Sequence, residues 1–299
     1  MKIDHNNINA AAKIIAQSRK MIEIDFWDNI TYLSFERWLE NFHTDEEKYL
    51  AASILNNLIY RNRRSIKSMG CNIFNIILPQ ILEREDIYHI DSIDSWMSDI
   101  NSSKKARQLP FRTCVIDNVD NKITKSGHVI HTFLQQDFFD KNLGVKLDLL
   151  KDNKLPSHVK SIVFFDDMLG SGTQLDNFMI QNNLDDYDIK IIFIPFAAIR
   201  ESALKIQSKY KNLIIHPVEY LDEQHAFFSP LNNMINRADF YSHEDFKAFY
   251  LELCRAKKIE TPLGFGDFGL SYVLSNSTPN NNLSLLWFEN NNWDRLFKR

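Results

Sequence analysis

Apolar and polar positions recur along this chain with two different periods. Up to about residue 100 the apolar residues come at helical spacing. Residues 9–21 carry one such pattern. Phe35, Trp38, Leu39 and Phe42 follow the i, i+3, i+4, i+7 rule of a buried helix face. Thr44 and Glu47 make the capping-box pair that starts a helix, with Leu50, Ile54, Leu55 and Leu58 along one side. Arg61, Arg63, Arg64 and Lys67 read as the end of that helix, where cations suit the dipole. Contact with a phosphate or nucleic acid is the functional alternative for this cluster.

After a linker over residues 104–109 and Pro110, the pattern turns to strands. Residues 111–117 and 127–134 read as two strands around a polar turn. Residues 135–160 are polar and fit a helix and a loop. Ile162, Val163, Phe164 and Phe165 form an unbroken apolar run, which suits a strand buried on both faces of a parallel sheet. A helix follows to about residue 184, a second buried strand over 189–198, a helix over 201–210 and a third strand over 212–220. Alternating strands and helices at this spacing predict an α/β fold with a doubly wound, mainly parallel sheet. Residues 231–257 read as helical and 270–274 as a strand. The expected organisation is therefore a helical N-terminal region over 1–105 and an α/β domain with C-terminal strands over 106–299.

Composition narrows the class. A hydrophobic fraction of 44% and a charged fraction of 25% over 299 residues suit a globular protein with a sizeable core. A net charge of −4 gives no overall basic field toward nucleic acid or membrane. No apolar segment is long enough to span a bilayer, and the N-terminus lacks the apolar stretch of a signal peptide. Three widely spaced cysteines suit a reducing cytoplasm better than a disulfide scaffold.

The candidate chemistry gathers after the first buried strand. Asp166 and Asp167 follow it at once, then Gly170, Ser171, Gly172, Thr173 and Gln174, and then a helical pattern. Loop amides and a helix N-terminus face an anion, and ligands of open α/β sheets bind at the carboxyl ends of strands. A plain strand-to-helix turn is the alternative. His128 and His131, placed on a strand, fall on opposite faces and do not share a metal ion. Gly264 to Gly269 fits a GxGxxG pattern, but Pro262 precedes it and a strand follows, so it reads as a turn.

Residues 161–174 resemble the phosphoribosyl-pyrophosphate loop of type I phosphoribosyltransferases: four hydrophobic residues, an acidic pair, then Ser171-Gly172-Thr173. The resemblance implies that Asp166 and Asp167 hold ribose hydroxyls and that the amides of residues 170–174 hold a 5′-phosphate. It also implies that Lys125, Ser126 and Gly127, upstream of the acidic strand, meet a diphosphate, with an ordinary turn as the alternative. Mg2+ would accompany that diphosphate, with no metal site made by protein side chains alone. Gly170 stands where many members carry an acidic base, and Gln174 where the final Thr usually sits.

A narrower resemblance covers most of the chain. Trp38-Leu39-Glu40-Asn41-Phe42, Asp166-Asp167-Met168-Leu169-Gly170-Ser171-Gly172 and Thr278-Pro279-Asn280-Asn281 with Trp287 and Trp293 look like phosphoribosyltransferase-like effectors of bacterial conflict systems, including retrons. Gly170 is a feature of that group. The resemblance implies an anti-phage effector or toxin that binds and processes a phosphoribosyl or nucleotide ligand, by glycosyl transfer or hydrolysis of a glycosidic bond. The alternative is an inactive nucleotide-binding module that regulates or assembles a defence complex. Implied partners are proteins of a defence operon, such as a reverse transcriptase with its nucleic acid or a winged-helix protein.

Overall fold

The computed structural model describes residues 3–116, 125–232 and 242–298. Four elements open the chain: helices α1 (His5–Glu23), α2 (Tyr32–Glu40) and α3 (Asp45–Asn56) and strand β1 (Ile59–Arg61). Helices α4 (Arg63–Asn72), α5 (Leu78–Arg84) and α6 (Ile93–Asn101) lead to strand β2 (Phe111–Cys114) and helices α7 (Lys125–Phe138) and α8 (Asp148–Lys151). Then come β3 (Ser161–Leu169), α9 (Thr173–Gln181), β4 (Lys190–Ile199), α10 (Arg200–Gln207), β5 (Leu213–Ile215) and β6 (Glu219–Leu221). Helix α11 (His243–Ala256) and strand β7 (Tyr272–Leu274) close the order.

Contacts divide the chain into two compact units, Met1–Ile66 with Asp222–Arg299, and Lys67–Leu221. The boundary expected near residue 105 does not coincide with this division. Two packing facts account for the difference. Residues 67–101 lie against the main sheet, and the C-terminal stretch returns to the N-terminal helices.

In the sheet unit, β2, β3, β4 and β5 lie side by side and all parallel, with β6 also paired to β4. Gly144 adds a parallel bridge to Thr113 on the outer side of β2, and Val145 donates to the Thr113 carbonyl at 2.9 Å. Spatially, the order is Gly144, β2, β3, β4, β5. The chain thus winds one way from β2 to Gly144, and the other way from β3 onward. Right-handed crossovers then put the helices on opposite faces. Phe165 of β3 packs on Phe74, Phe139 and His131, on the α7 side. Phe164 packs on Phe178 of α9, in the cluster that also holds Leu150 of α8 and Ile206 of α10. This is a mainly parallel sheet flanked by helices, as the alternating pattern predicts.

Pro79 shapes the helical layer on the α7 side. It has no N–H, so the helix ahead of it widens into a π turn over Ile73–Ile77, where Leu78 donates to Ile73. The Phe74 carbonyl is left without a helical donor, and the indole N–H of Trp96 supplies one at 2.7 Å. The same indole ring lies against Phe111 of β2, with centroids 5.7 Å apart. Pro195 has a comparable effect within β4. The carbonyls of Phe193 and Pro195 accept from His216 and Val218. The edge where Pro195 lacks a donor is thus the one facing residues 213–221, and the ladder there splits into β5 and β6.

The other unit is built from both ends of the chain. β1 and β7 pair in parallel, and their separate two-stranded sheet does not extend the main one. Around it lies a cluster containing Trp27, Trp38, Phe42, Tyr250, Trp293 and Phe297. Trp38 and Trp293 both donate their indole N–H to the Leu285 carbonyl, at 2.7 and 3.1 Å. The fully buried Asn282 side chain binds the backbone of Tyr272 at N–H and carbonyl, at 2.6 and 2.8 Å. Gly264 has φ 75°, and a Cβ there would stand 2.4 Å from the Asn282 carbonyl oxygen. The GxGxxG stretch is therefore a turn fitted under the tail, as its flanks predict. No helix among the described residues is long and apolar enough to cross a membrane.

Three expectations are corrected. Residues 127–134 lie in helix α7, not in a strand: Gly127, Ile130, His131, Leu134 and Phe138 are buried at helical spacing. Residues 212–220 give two short strands instead of one. The basic cluster does not end a helix. α3 stops at Asn56, Arg61 lies in β1, and Arg63 and Arg64 open α4, whose first turn is capped by Asn62 accepting from the Ser65 amide at 2.9 Å. Arg63 and Arg64 therefore sit at the helix end whose dipole disfavours cations. Lys67 pairs with Asp137 at 3.3 Å.

Candidate functional site

The winding reverses between β2 and β3, and the carboxyl ends of strands at such a reversal are where open α/β sheets bind ligands. β2 ends and α7 begins at that edge, and the loop after β3 enters α9 there.

β3 runs to Leu169, so Asp166 and Asp167 lie within its last residues and not just beyond it. Both are buried, at 5% and 8% exposure. Each carboxylate turns forward along the chain. Asp166 Oδ1 accepts from the Asp167 amide at 2.9 Å, and Asp167 Oδ1 from the Met168 amide at 2.8 Å. Such charge-assisted bonds fix both side chains on a rigid strand. Phe164 and Phe165 pack on opposite faces, so pleating carries Asp166 to the α9 side and Asp167 to the α7 side.

Gly170 and Gly172 are buried, Ser171 is half-buried, and Thr173 and Gln174 are exposed. Gly172 caps α9 in the left-handed region, at φ 79° and ψ −4°. Only glycine adopts this conformation without strain, and a Cβ would also meet Ile206 Cγ1 at 2.4 Å. The Ser171 and Thr173 hydroxyls lie 2.9 Å apart, and the Thr173 amide points to Ser171 Oγ at 3.3 Å. The result is a tight turn delivering hydroxyls and amides to a helix N-terminus, an arrangement able to hold a phosphoryl group.

Helix α10 and the turn after it brace this loop. Asp176, in the first turn of α9, accepts from Lys209 Nζ and from the Tyr210 hydroxyl, both at 2.7 Å. Burial alone would raise the Asp176 carboxyl, but these two donors outweigh it and hold it below its usual value. Sequence reading passed over this brace, because its members lie far apart in the chain.

Lys125, Ser126 and Gly127 form the first turn of α7, on the same sheet edge as residues 166–173. The side chains of Lys125 and Ser126 and the turn over 117–124 lie outside the described residues. Gly127 is buried.

The helical setting also changes the position of the histidines. His128 and His131 are one turn apart on α7 and share a helix face, so the opposite-face argument fails. Even so, no group of three or more His, Cys, Asp or Glu side chains among the described residues could hold a metal ion. His131 is buried, its Nε2 lies 3.1 Å from Thr113 Oγ1, and burial, with His128 adding to it, pushes its imidazole down to about 4. No two of the three cysteines form a disulfide.

A sequence model of the PRTase-CE family matches residues 35–299. No curated protein and no solved structure matches the chain significantly.

Proposed function

Because the chain belongs to the PRTase-CE family, a phosphoribosyltransferase-like family, we propose that it binds a phosphoribosyl or nucleotide ligand at the carboxyl edge between β2 and β3. One observation carries the reading. The buried pair Asp166–Asp167 and the Gly172-capped start of α9 lie together at the carboxyl edge where the winding reverses. In this reading the amides and hydroxyls of residues 170–174 hold a 5′-phosphate, and Asp166 and Asp167 hold ribose hydroxyls. Lys125, Ser126 and Gly127 approach a diphosphate from the start of α7. A Mg2+ ion would arrive with that diphosphate, held by its phosphates and water. Cleavage at the anomeric carbon develops positive charge on the sugar, and the two carboxylates stabilise it electrostatically.

The wider setting we propose is an effector of an anti-phage system, acting in the cytoplasm with proteins of the same operon. The segments that resemble such effectors, at Trp38 to Phe42 and Thr278 to Trp293, are packed together in one unit. Co-purification of the tagged chain with its genomic neighbours is the check, and a chain that captures none of them removes this part of the reading.

The binding experiment uses phosphoribosyl pyrophosphate in isothermal titration. Asp166→Asn and Asp167→Asn should each weaken affinity by about tenfold or more, the cost of losing a charged hydrogen bond. Thermal melting should stay near that of the native protein. A double variant that binds as tightly as native places the ligand elsewhere. Gly170, where a carboxylate base would stand, favours a second reading as a binding module without turnover. Mass spectrometry of the incubated ligand separates the two readings, since only an enzyme releases product.

A further inference from the structure

His131 fixes the orientation of α7 toward the sheet. Its ring sits edge-on to Phe139 at 5.6 Å and tilted against Phe165 at 6.4 Å, with Nε2 against Thr113. The helix begins at the carboxyl edge and returns antiparallel to the strands. One turn back toward its start therefore moves about 4.5 Å toward that edge, and reaches His128. Two residues onward from Phe165, on the same face of β3 and about 6.6 Å along it, lies Asp167. His128 thus overlooks the stretch of β3 that carries Asp167. It is half-buried, in contrast to the enclosed His131.

We propose that His128 is the acid–base group of this site, working beside Asp167 in the role that an acidic residue at position 170 would otherwise fill. The inference rests on the phosphoribosyl reading above. In the step, a lone pair of water or of an acceptor nitrogen forms a bond to the anomeric carbon. The bond from that carbon to the leaving diphosphate or base breaks, and its electron pair departs with the leaving group. His128 takes the proton released by the nucleophile, and the Asp167 carboxylate stabilises the imidazolium that forms. His131 stays neutral in its buried position, so it sets no second positive charge against that imidazolium.

The test compares the native chain with His128→Gln and His128→Ala, using phosphoribosyl pyrophosphate and NAD as probes. Binding is read by titration calorimetry and product by mass spectrometry. Both variants should bind within about threefold of native and lose turnover by about a hundredfold or more, the usual worth of a positioned acid–base group. Added imidazole should restore part of the His128→Ala rate. If His128→Ala does not fold, the glutamine variant carries the comparison. Turnover of His128→Gln close to native, with binding intact, overturns the inference, as does native binding without any turnover. A native chain that binds neither probe overturns the phosphoribosyl reading itself, and that result is distinct from the other two.

Discussion

At the scale of single residues, burial decides the chemistry. His131 resists protonation because its imidazole is enclosed by Phe139, Phe165 and Thr113. Its value falls from 6.5 to about 4 on folding. The unfolded chain then takes up a proton below pH 6.5 that the folded protein refuses, so stability falls as pH drops from 6.5 toward about 4. At the acid end the loss amounts to about 3 kcal/mol. His131→Leu should cost stability at neutral pH, because it leaves the Thr113 hydroxyl buried without this partner. That cost should shrink on acidification. Urea midpoints of both proteins across this range are the check, and a gap that stays constant with pH would show that His131 is not held neutral.

At the scale of elements, the loop between β3 and α9 depends on one backbone conformation. Gly172→Ala asks an L residue to adopt φ 79° while its Cβ overlaps Ile206. Strain and overpacking together should lower stability by about 2–4 kcal/mol, seen as a reduced urea midpoint. Ile206→Ala alone opens a cavity in the core, so the clash is read from a double-mutant cycle: Gly172→Ala should cost less in the Ile206→Ala background than in the native one, because only the dihedral strain remains. An equal cost in both backgrounds would mean that Ile206 is not what confines the loop. The long helix before the sheet shows how elements depend on one another. Pro79 breaks its ladder, and Trp96, one helix later, repairs the Phe74 carbonyl. Trp96→Phe keeps the ring against Phe111 but removes that donor, and should cost about 1–3 kcal/mol.

At the scale of the whole molecule, the chain's two ends build one unit and its middle the other. Trp38 needs the Leu285 carbonyl, and Phe42 needs the ring of Trp293 at 5.1 Å. A chain cut before Leu283 removes both. Trp27 and Trp38 should then become solvated and their fluorescence shift to the red, whereas Trp96, packed on β2, should stay blue. An unshifted spectrum in the shortened chain would mean that the N-terminal helices hold together without the tail.

The sequence by itself determined whatever depends on neighbours along the chain. The unbroken run Ile162 to Phe165 announced a doubly buried strand, and Thr44 with Glu47 announced the start of α3. Asp166, Asp167 and Gly172 were found as a candidate site because strand, acidic pair and small loop follow one another directly. Tertiary structure decided what depends on distant partners. Val129, Ile130 and Thr132 are β-branched and favour a strand, yet α7 is helical, since burying Gly127, Ile130, His131, Leu134 and Phe138 on one side gains more than local preference costs. The basic cluster does not end a helix because the chain between α3 and α4 is drawn into β1, whose partner β7 lies more than two hundred residues further on. The winding reversal at Gly144, the brace of Lys209 and Tyr210 on Asp176, and the packing of His131 on Phe165 join residues tens of positions apart. Such contacts form only when the hydrophobic faces have chosen their partners, and no local period in a sequence encodes that choice.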